Sequence, residues 1–496
     1  MEAVKAERTW VGIDLGTQSV RVTVAADDGR VLAFGSAPLD SLRRAAQERQ
    51  HEQDPRQWWA AVGQASRQAF AALAPASRRL PVGAAAICST SGTVLLVDGG
   101  GTPLTTALMY DDTRAADELT TIHAVADAIP ESADVQVSWA LPKIGWLFRH
   151  HPVSAGAYVA HSADAVAARL VGHRVHTDTS HALKSGYDVV DNQWNDALIT
   201  ASGIDPGALP EVVPPGTVLG TVEPAAAQHT GIPAGTPVVA GMTDGCAAQI
   251  AAGALSPGAW NSVLGTTLVL KGVSTQLIED PDGAVYSHRH PDGGWLPGGA
   301  SNVGAGVISE EFGGQDLDGL SAAAEAFEPA GAVVYPLTAR GERFPFVDPD
   351  AVRFEIGTVR GMAERYAAVL QGVAYVERLC FEHLAAIGAD TTGEISITGG
   401  ATRSSYWNQL RADVLGRPLA LPATPEPSFG MAVLAAADGG SVAASAAGMV
   451  SRRDVVEPRP GAYERFADGY VRLCQELLRR GYIKDTFTTN LSRSTS

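Results

Sequence analysis

The tripeptide Leu-Gly-Thr occurs twice in this chain, each time between apolar, β-prone segments. The first copy lies in Gly12-Ile13-Asp14-Leu15-Gly16-Thr17-Gln18-Ser19 and the second in Asn261-Ser262-Val263-Leu264-Gly265-Thr266-Thr267-Leu268. A glycine between two such segments predicts a hairpin turn. Turn N–H groups and threonine hydroxyls bind phosphate oxygens well, because glycine lets the backbone approach closely. The repeat therefore predicts a duplicated fold whose two hairpins close on one anionic ligand, a nucleotide phosphate.

A third glycine-containing segment has the same character. Gly399-Gly400-Ala401 follows the predicted strand Glu394–Thr398 and precedes a helical pattern. A ligand can lie against the backbone where such a turn opens a helix. The sequence contains no Gly-x-x-x-x-Gly-Lys-Ser/Thr string, and its other glycine clusters do not follow the dinucleotide-binding order, so a P-loop or Rossmann enzyme is not indicated.

Strands alternating with helices surround these turns and predict a mixed α/β sheet covered by helices. A helix is expected to begin at Pro55 with Asp54 as its N-cap. The predicted strands of the first half are Thr9–Leu15, Ser19–Ala25, Val31–Ser36 and Val82–Ile87.

The second half repeats the opening pattern. Residues 115–235 are predicted to be helical and loop-like, and the small, flexible segment Ala252–Gly258 is the expected domain boundary. This gives domains at 9–255 and 256–485, with disorder expected after Thr486. The predicted elements of the second half are strands Ala259–Leu264, Thr267–Gly272 and Glu394–Thr398 and a helix over about Ala363–Ala386.

Composition excludes several classes of function. The 496 residues carry a formal charge of −17 without a basic block, which argues against nucleic acid or an anionic membrane as a partner. The four cysteines lack paired spacing and are expected to be buried thiols. No apolar segment is long enough to span a bilayer and no signal peptide is evident, so a cytoplasmic protein is predicted.

These motifs, in their order and spacing over residues 9 to about 480, resemble the FGGY family of carbohydrate kinases. Each is weak alone, and together they form a specific pattern. Besides the two hairpins and Gly399-Gly400-Ala401, the pattern includes Glu52-Gln53-Asp54-Pro55, Asp111-Asp112-Thr113-Arg114, Ala240-Gly241-Met242-Thr243-Asp244-Gly245, Gly341-Glu342-Arg343 and Trp407-Asn408-Gln409.

The resemblance implies two ribonuclease-H-like domains of the actin/hexokinase ATPase type flanking a central cleft, with ATP and Mg²⁺ as cofactors. It implies that Asp244 is the general base and that Asp14 lies near Mg²⁺, binding it through water. An aspartate that closes a turn or caps a helix is the alternative interpretation of Asp244. The implied ATP-binding residues are Gly16, Thr17, Gln18, Gly265, Thr266, Thr267, Gly399, Gly400, Ala401 and Asn408.

The expected sugar site departs from the xylulokinase pattern. Xylulokinases typically carry Ser-Gly-Gln-Met-His here, whereas this chain has Ser91 and Gly92 at the Met and His positions. Together with the segment Ala182–Asp188, this looks more like the D-ribulokinase branch. For Asp112 and Arg114, pairing with each other is the alternative to sugar contact. The candidate sugar-binding residues are Thr90, Ser91, Tyr110, Asp112, Arg114 and Asp244.

The resemblance thus implies an ATP-dependent kinase that converts a ketopentose, D-ribulose, to its 5-phosphate. A xylulokinase, another ketose or polyol kinase, and a sugar-binding protein without turnover are the alternatives. The predicted partners are the sugar and ATP, and a homodimer is left open. His150-His151 and His288/His290 are expected to be exposed histidines rather than metal ligands.

Overall fold

The computed structural model describes residues 7–43, 50–126, 135–151 and 156–484, so the tail after Thr486 lies outside the described residues. Up to residue 253 the strands are Thr9–Leu15 (β1), Ser19–Ala26 (β2), Val31–Pro38 (β3), Leu42–Arg43 (β4), His51–Gln53 (β5), Val82–Ser89 (β6), Val94–Val97 (β7), Ala107–Leu108 (β8), Tyr158–His161 (β9), Thr177–Asp178 (β10), Tyr187–Asp188 (β11), Gln193–Trp194 (β12), Val212–Val213 (β13), Val218–Thr221 (β14) and Pro237–Val239 (β15). The helices are Pro55–Ala72 (α1), Glu118–Ala126 (α2), Ala140–His150 (α3), Ser162–Val171 (α4), Thr179–Ala182 (α5), Asp196–Ala201 (α6), Pro224–Thr230 (α7) and Asp244–Ala251 (α8).

From residue 254 onward the strands are Trp260–Leu264 (β16), Leu268–Gly272 (β17), Tyr286–Arg289 (β18), Trp295–Ser301 (β19), Ala332–Tyr335 (β20), Phe354–Gly357 (β21), Ile395–Thr398 (β22), Leu419–Pro422 (β23) and Arg452–Val456 (β24). The helices are Gly306–Phe312 (α9), Leu317–Ala324 (α10), Met362–Ala386 (α11), Ser405–Leu415 (α12), Pro427–Ala436 (α13), Val442–Met449 (α14) and Ala462–Arg479 (α15).

The main sheet of the first half has the order β14-β15-β6-β1-β2-β3. Strands β1, β2 and β3 form an antiparallel meander, and β6 and β15 continue the sheet parallel to β1. All seven residues of β1 are buried, because helices cover both faces of this central strand. The hairpin at Gly16 and the segment leading into α8 therefore follow strands β1 and β15 at the same edge of the sheet.

The main sheet of the second half repeats this arrangement in the order β18-β19-β17-β16-β22-β23-β24. Strands β16, β17 and β19 are antiparallel, and β22 and β23 continue parallel to β16. The long helix α11 packs on the small sheet of β20 and β21 and against α12. The predicted duplication of a mixed α/β fold is confirmed.

The chain divides into two compact units, the first containing 1–253, 291–293 and 424–450 and the second containing the rest. The division at 253/254 lies within the expected boundary segment Ala252–Gly258, but the segment Thr424–Val450, which was expected in the second domain, belongs to the first unit. Helix α13 packs directly on β1, where a Cβ at Gly12 would lie 1.7 Å from the Ser428 carbonyl oxygen. Glycine on β1 permits this close approach, which sequence periodicity does not reveal.

The predicted strands and the helix starting at Pro55 are present with ends shifted by at most two residues. The short strands of a five-stranded sheet, order β4-β5-β8-β7-β9, were not predicted, because they contain only two to four residues each. The four cysteines are buried free thiols, as predicted. None of the helices within the described ranges combines the length and apolar character needed to traverse a bilayer.

Candidate active site

Asp14 and Asp244 lie near each other in the first unit. Asp14 is the penultimate residue of β1 and is 3% exposed, and Asp244 is the half-buried first residue of α8. Thr243 is the N-cap residue of α8, so Asp244 is not the cap itself. The Oδ1 atom of Asp244 accepts the N–H of Gly245 at 2.7 Å. The Asp244 carboxylate therefore lies at the N-terminus of α8, where the helix dipole favours a negative charge.

The electrostatic environment of Asp14 is unusual for a carboxyl group. Burial, and next the negative charge of Asp244, raise the pKa of Asp14 to about 7. Arg21 opposes this shift from 3.5 Å, and the Cys88 thiol donates to Asp14 Oδ1 at 3.6 Å. A buried carboxylate whose pKa is raised by burial and by a neighbouring carboxylate is suited to bind a cation.

The side chain of Gln53 stabilises the first glycine-threonine turn. The Gly16 N–H donates to the Ser19 carbonyl at 3.1 Å and closes the turn. Gln53 Nε2 donates to the Thr17 carbonyl at 2.6 Å, and its Oε1 accepts from the indole N–H of Trp58. The Glu52-Gln53-Asp54-Pro55 motif thus has a structural purpose: its glutamine fixes the turn while Gln18 remains exposed.

The second turn is held by backbone rather than by a side chain. The carbonyls of Gly265 and Thr266 accept the N–H groups of Ala305 and Gly306 at 2.7 and 3.1 Å. A Cβ at Gly304 would lie 2.4 Å from the Thr266 carbonyl oxygen, which explains the need for glycine there. The Thr266 side chain faces solvent and Thr267 is half-buried.

Gly399-Gly400-Ala401 lies beside this second turn in the same unit. Gly399 has φ +93°, and a Cβ there would meet the Leu264 carbonyl oxygen at 2.5 Å, whereas a Cβ at Gly400 would meet no atom within 4 Å. Asn408 is buried on α12 and donates to the Thr402 carbonyl at 2.9 Å. A cleft of about 650 Å³ borders Asn408 and Arg403, a size that suits a small ligand.

The candidate sugar residues Thr90 and Ser91 follow β6 directly. Thr90 Oγ1 is hydrogen-bonded to Thr93 Oγ1 at 2.6 Å, whereas Ser91 Oγ is buried and has no hydrogen-bond partner within the described part of the chain. Gly92 has φ +87°, and a Cβ there would lie 3.0 Å from the Ser138 carbonyl oxygen. The backbone at residue 92 therefore disfavours any side chain.

Asp112 and Arg114 pair with each other, which is the second of the two alternatives considered for them. Arg114 Nη2 lies 2.7 Å from Asp112 Oδ2, and its Nη1 lies 2.6 Å from Glu52. Asp112 also accepts the His51 N–H at 2.7 Å, so both of its oxygens are engaged. Tyr110 is 40% exposed.

Lys143 is a fully buried lysine beneath these loops that sequence reasoning missed. Its ammonium donates to the carbonyls of Met109, Tyr110 and Ser138 at 2.9 to 3.2 Å. Burial lowers the pKa of Lys143 to about 7. Lys143 lies in a helix with an apolar periodicity, and this pattern does not predict that its ammonium group donates to three backbone carbonyls.

The histidine predictions were partly wrong. His288 and His290 are buried rather than exposed, and Lys271 Nζ lies 2.8 Å from His288 Nδ1. Within the described ranges no group of three or more His, Cys, Asp or Glu side chains could hold a metal ion. A magnesium site in this molecule would therefore depend on one or two carboxylates plus water and ligand oxygens.

Two family models match the chain. The N-terminal domain of the FGGY family of carbohydrate kinases matches residues 9–251, and the C-terminal domain matches residues 260–438.

Curated relatives and solved structures match over most of their length. The xylulose kinase of Escherichia coli strain K12 is 29% identical over 83% of this chain and 85% of its own length. The xylulose kinase of Streptomyces coelicolor is 29% identical over 84% and 85%. The crystal structure of xylulose kinase from Rhodospirillum rubrum has a TM-score of 0.85 at 27% identity, covering 95% of this chain and 99% of that one.

Proposed function

Because the chain belongs to the FGGY family of carbohydrate kinases and is therefore an ATP-dependent sugar kinase, we propose that its acceptor is a ketopentose and that D-ribulose is preferred. The product is D-ribulose 5-phosphate. The observation that carries the catalytic part of the proposal is the pair of neighbouring carboxylates, Asp14 and Asp244, at one edge of the first sheet.

Asp244 acts as the general base. Its carboxylate takes the proton of the sugar's terminal hydroxyl while that oxygen forms a bond to the γ-phosphorus of ATP. The bond between the γ-phosphorus and the bridging oxygen breaks, and ADP leaves with that oxygen. A positioned base of this kind contributes on the order of 10²–10⁴ in rate.

Asp14 is the residue that would hold Mg²⁺, through water. The donor set fits the ion, since Mg²⁺ prefers carboxylate oxygens and retains several waters. The raised pKa of Asp14 supports this role, because a nearby cation offsets the cost of a buried charge beside Asp244. When bound, the ion neutralises negative charge on the β- and γ-phosphates.

The nucleotide-binding part of the proposal consists of two sets of residues, one in each unit. In the turn at Gly16, the backbone N–H groups of Thr17 and Gln18 and the Thr17 hydroxyl contact phosphate oxygens, and the second turn at 265–267 does so in the same way. The open backbone at Gly400 supports close approach by the adenosine, with Ala401 and Asn408 beside it.

The preference for D-ribulose depends on the loop after β6. D-Ribulose and D-xylulose differ only in configuration at C3, so a hydroxyl that meets a partner in one sugar is displaced in the other. Ser91 offers a buried hydroxyl that has no hydrogen-bond partner among the described residues, and the positive φ of Gly92 disfavours a side chain at that position. An unpaired buried hydroxyl costs roughly 1–3 kcal/mol, which is enough to separate two epimers.

D-Xylulose is the second candidate, favoured by the names of the relatives described above. Those proteins are 27–29% identical to this chain over the aligned residues. The two family models establish the family, and the choice of sugar depends on the local chemistry at residues 90–93.

A coupled ADP-release assay over a panel of ketoses and polyols tests the proposal. We expect kcat/KM for D-ribulose to exceed that for D-xylulose by about tenfold or more, from the hydroxyl cost given above. Asp244→Asn, which keeps the size of the side chain, is expected to lower kcat by about 10²–10⁴. Faster turnover of D-xylulose would replace D-ribulose by the second candidate, and an active Asp244→Asn enzyme would remove Asp244 as the base.

A further inference from the structure

One buried carboxylate, Asp178, lies at the start of two hydrogen-bonded paths through the first unit. Asp178 ends β10 and is the N-cap residue of the short helix α5, accepting the N–H groups of Ser180 and His181. It is 2% exposed, and Ser180 and His181 are fully buried. None of the three was predicted as a site residue.

The first path leads to the residue before the proposed base. Ser180 Oγ donates to Asp178 Oδ1 and accepts the backbone N–H of Thr243 at 2.9 Å. Thr243 is the N-cap residue of α8, and Asp244 follows it. The serine hydroxyl thus fixes the backbone at the point where α8 begins.

The second path leads to the residue before the candidate sugar loop. His181 Nδ1 is hydrogen-bonded to Asp178 Oδ2, and His181 Nε2 is hydrogen-bonded to Ser89 Oγ at 2.9 Å. Ser89 Oγ also accepts the N–H of Ala163 at 3.1 Å. Ser89 is the last residue of β6, and Thr90 and Ser91 follow it.

The two paths meet, because Ser89 and Thr243 form an isolated parallel β-bridge with each other. The result is a closed ring of five residues: Asp178, Ser180, Thr243, Ser89 and His181. Burial removes competition from water, so each hydrogen bond in the ring restrains its neighbours strongly. Burial alone would lower the pKa of His181, but the charge of Asp178 raises it, and the pKa of Asp178 is correspondingly lowered.

We propose that this ring is a positioning device that sets the distance between the proposed base and the sugar loop, with Ser180 as the residue that holds the base's backbone. The inference rests on the proposed function. His181 is fully buried inside the ring, so it acts through Asp178 and Ser89 rather than on substrate. Transfer to a hydroxyl requires near-attack geometry, and displacement by about 1 Å can cost 10²-fold in rate.

The test compares Ser180→Ala with Ser202→Ala in the full-length protein. Ser202 is a buried serine whose hydroxyl donates to the Leu198 carbonyl at 2.8 Å, away from the ring. Steady-state kinetics give kcat and KM for sugar and ATP, and hydrogen exchange measured by mass spectrometry follows the amides of residues 243–251. Thermal melting shows whether both variants are folded and similarly stable.

For Ser180→Ala we expect kcat to fall about tenfold, KM for ATP to stay within about twofold, and amides 243–251 to exchange faster. For Ser202→Ala we expect none of these changes. Asp178→Asn, which weakens both paths, is expected to lower kcat more than Ser180→Ala does.

Unchanged kcat and unchanged exchange in Ser180→Ala would overturn the inference, as would equal losses in Ser202→Ala. A wild-type protein that turns over no sugar would contradict the proposed function alone. In that case exchange at residues 243–251 still decides the inference, because faster exchange in Ser180→Ala only would support the ring and unchanged exchange would refute it.

Discussion

The hairpin β1–β2 and the hairpin β16–β17 have the same backbone plan and carry different chemistry. Each consists of a central strand, a glycine-threonine turn and an antiparallel return, and each central strand has a parallel neighbour on its other side. Aligned on Leu-Gly-Thr, Asp14 of the first hairpin corresponds to Val263 of the second. The residues before them, Ile13 and Ser262, also differ.

The charges therefore lie in different places in the two units. In the first, the charged group is on the hairpin itself, and the buried neighbour Ile13 is apolar. In the second, the position that corresponds to Asp14 is the apolar Val263, and the charged groups lie on helices next to the hairpin. There Ser262 Oγ is hydrogen-bonded to Glu377 and Arg411, which form a fully buried bidentate ion pair at 2.7 Å.

We infer from this difference that the duplicated fold separates stability from reactivity. A buried carboxylate with a raised pKa destabilises the folded state when it is ionised, whereas a paired and hydrogen-bonded charge holds its surroundings in one arrangement. We infer that the first hairpin keeps a costly charge because it serves the reaction, and that the charges of the second serve its structure.

Breaking the ion pair beneath the second hairpin should have the largest effect. Arg411→Met leaves the Glu377 carboxylate buried without its partner, which we expect to lower the free energy of unfolding by about 3–5 kcal/mol. Urea denaturation monitored by circular dichroism measures this change.

The double replacement Arg411→Met with Glu377→Met removes both charges and is its control. It should recover most of the lost stability, since an apolar pair of similar volume is often neutral or better in such a place. A loss below about 1 kcal/mol in Arg411→Met would mean that the ion pair contributes little, and the proposed contrast between the units would fail.

The second prediction concerns activity and compares the two equivalent positions. Asp14→Asn removes the charge proposed to hold Mg²⁺ and should lower kcat on the order of 10²-fold, the usual loss when one electrostatic group of an active site is removed. Val263→Asn, at the corresponding place in the second hairpin, should leave kcat within about threefold. Equal losses at both positions would show that the hairpins are chemically equivalent.

Much of this fold could be predicted because its signals are local. Strand periodicity, the Asp54–Pro55 helix start and the glycine-threonine turns each depend on a few adjacent residues. The return of Thr424–Val450 to the first unit could not be predicted, because it depends on Gly12 and Ser428 meeting across more than 400 residues.

The candidate site shows the same limit. Asp14 and Asp244 were predicted from motifs, but the raised pKa of Asp14 comes from burial and from a charge 230 positions away in the chain. Asp178, Ser180 and His181 were missed because a serine hydroxyl bonded to a distant backbone N–H leaves no pattern in the sequence. The exposed location expected for His288 was wrong because its strand is covered on the side that residue faces.

The smallest predicted effect is a pH dependence that separates the first hairpin from the second. Between about pH 4 and pH 7 the folded protein retains a proton on Asp14 that the unfolded chain has released, so the contribution of this group to stability falls as pH rises. Asp14→Asn removes that penalty.

In magnesium-free buffer the substitution should therefore stabilise the protein by about 2 kcal/mol more at pH 8 than at pH 5. Val263→Asn should show no such difference in urea denaturation at the two pH values. Equal stabilisation by Asp14→Asn at pH 5 and pH 8 would mean that the pKa of Asp14 is not raised. The electrostatic argument that a cation binds at Asp14 would then fail.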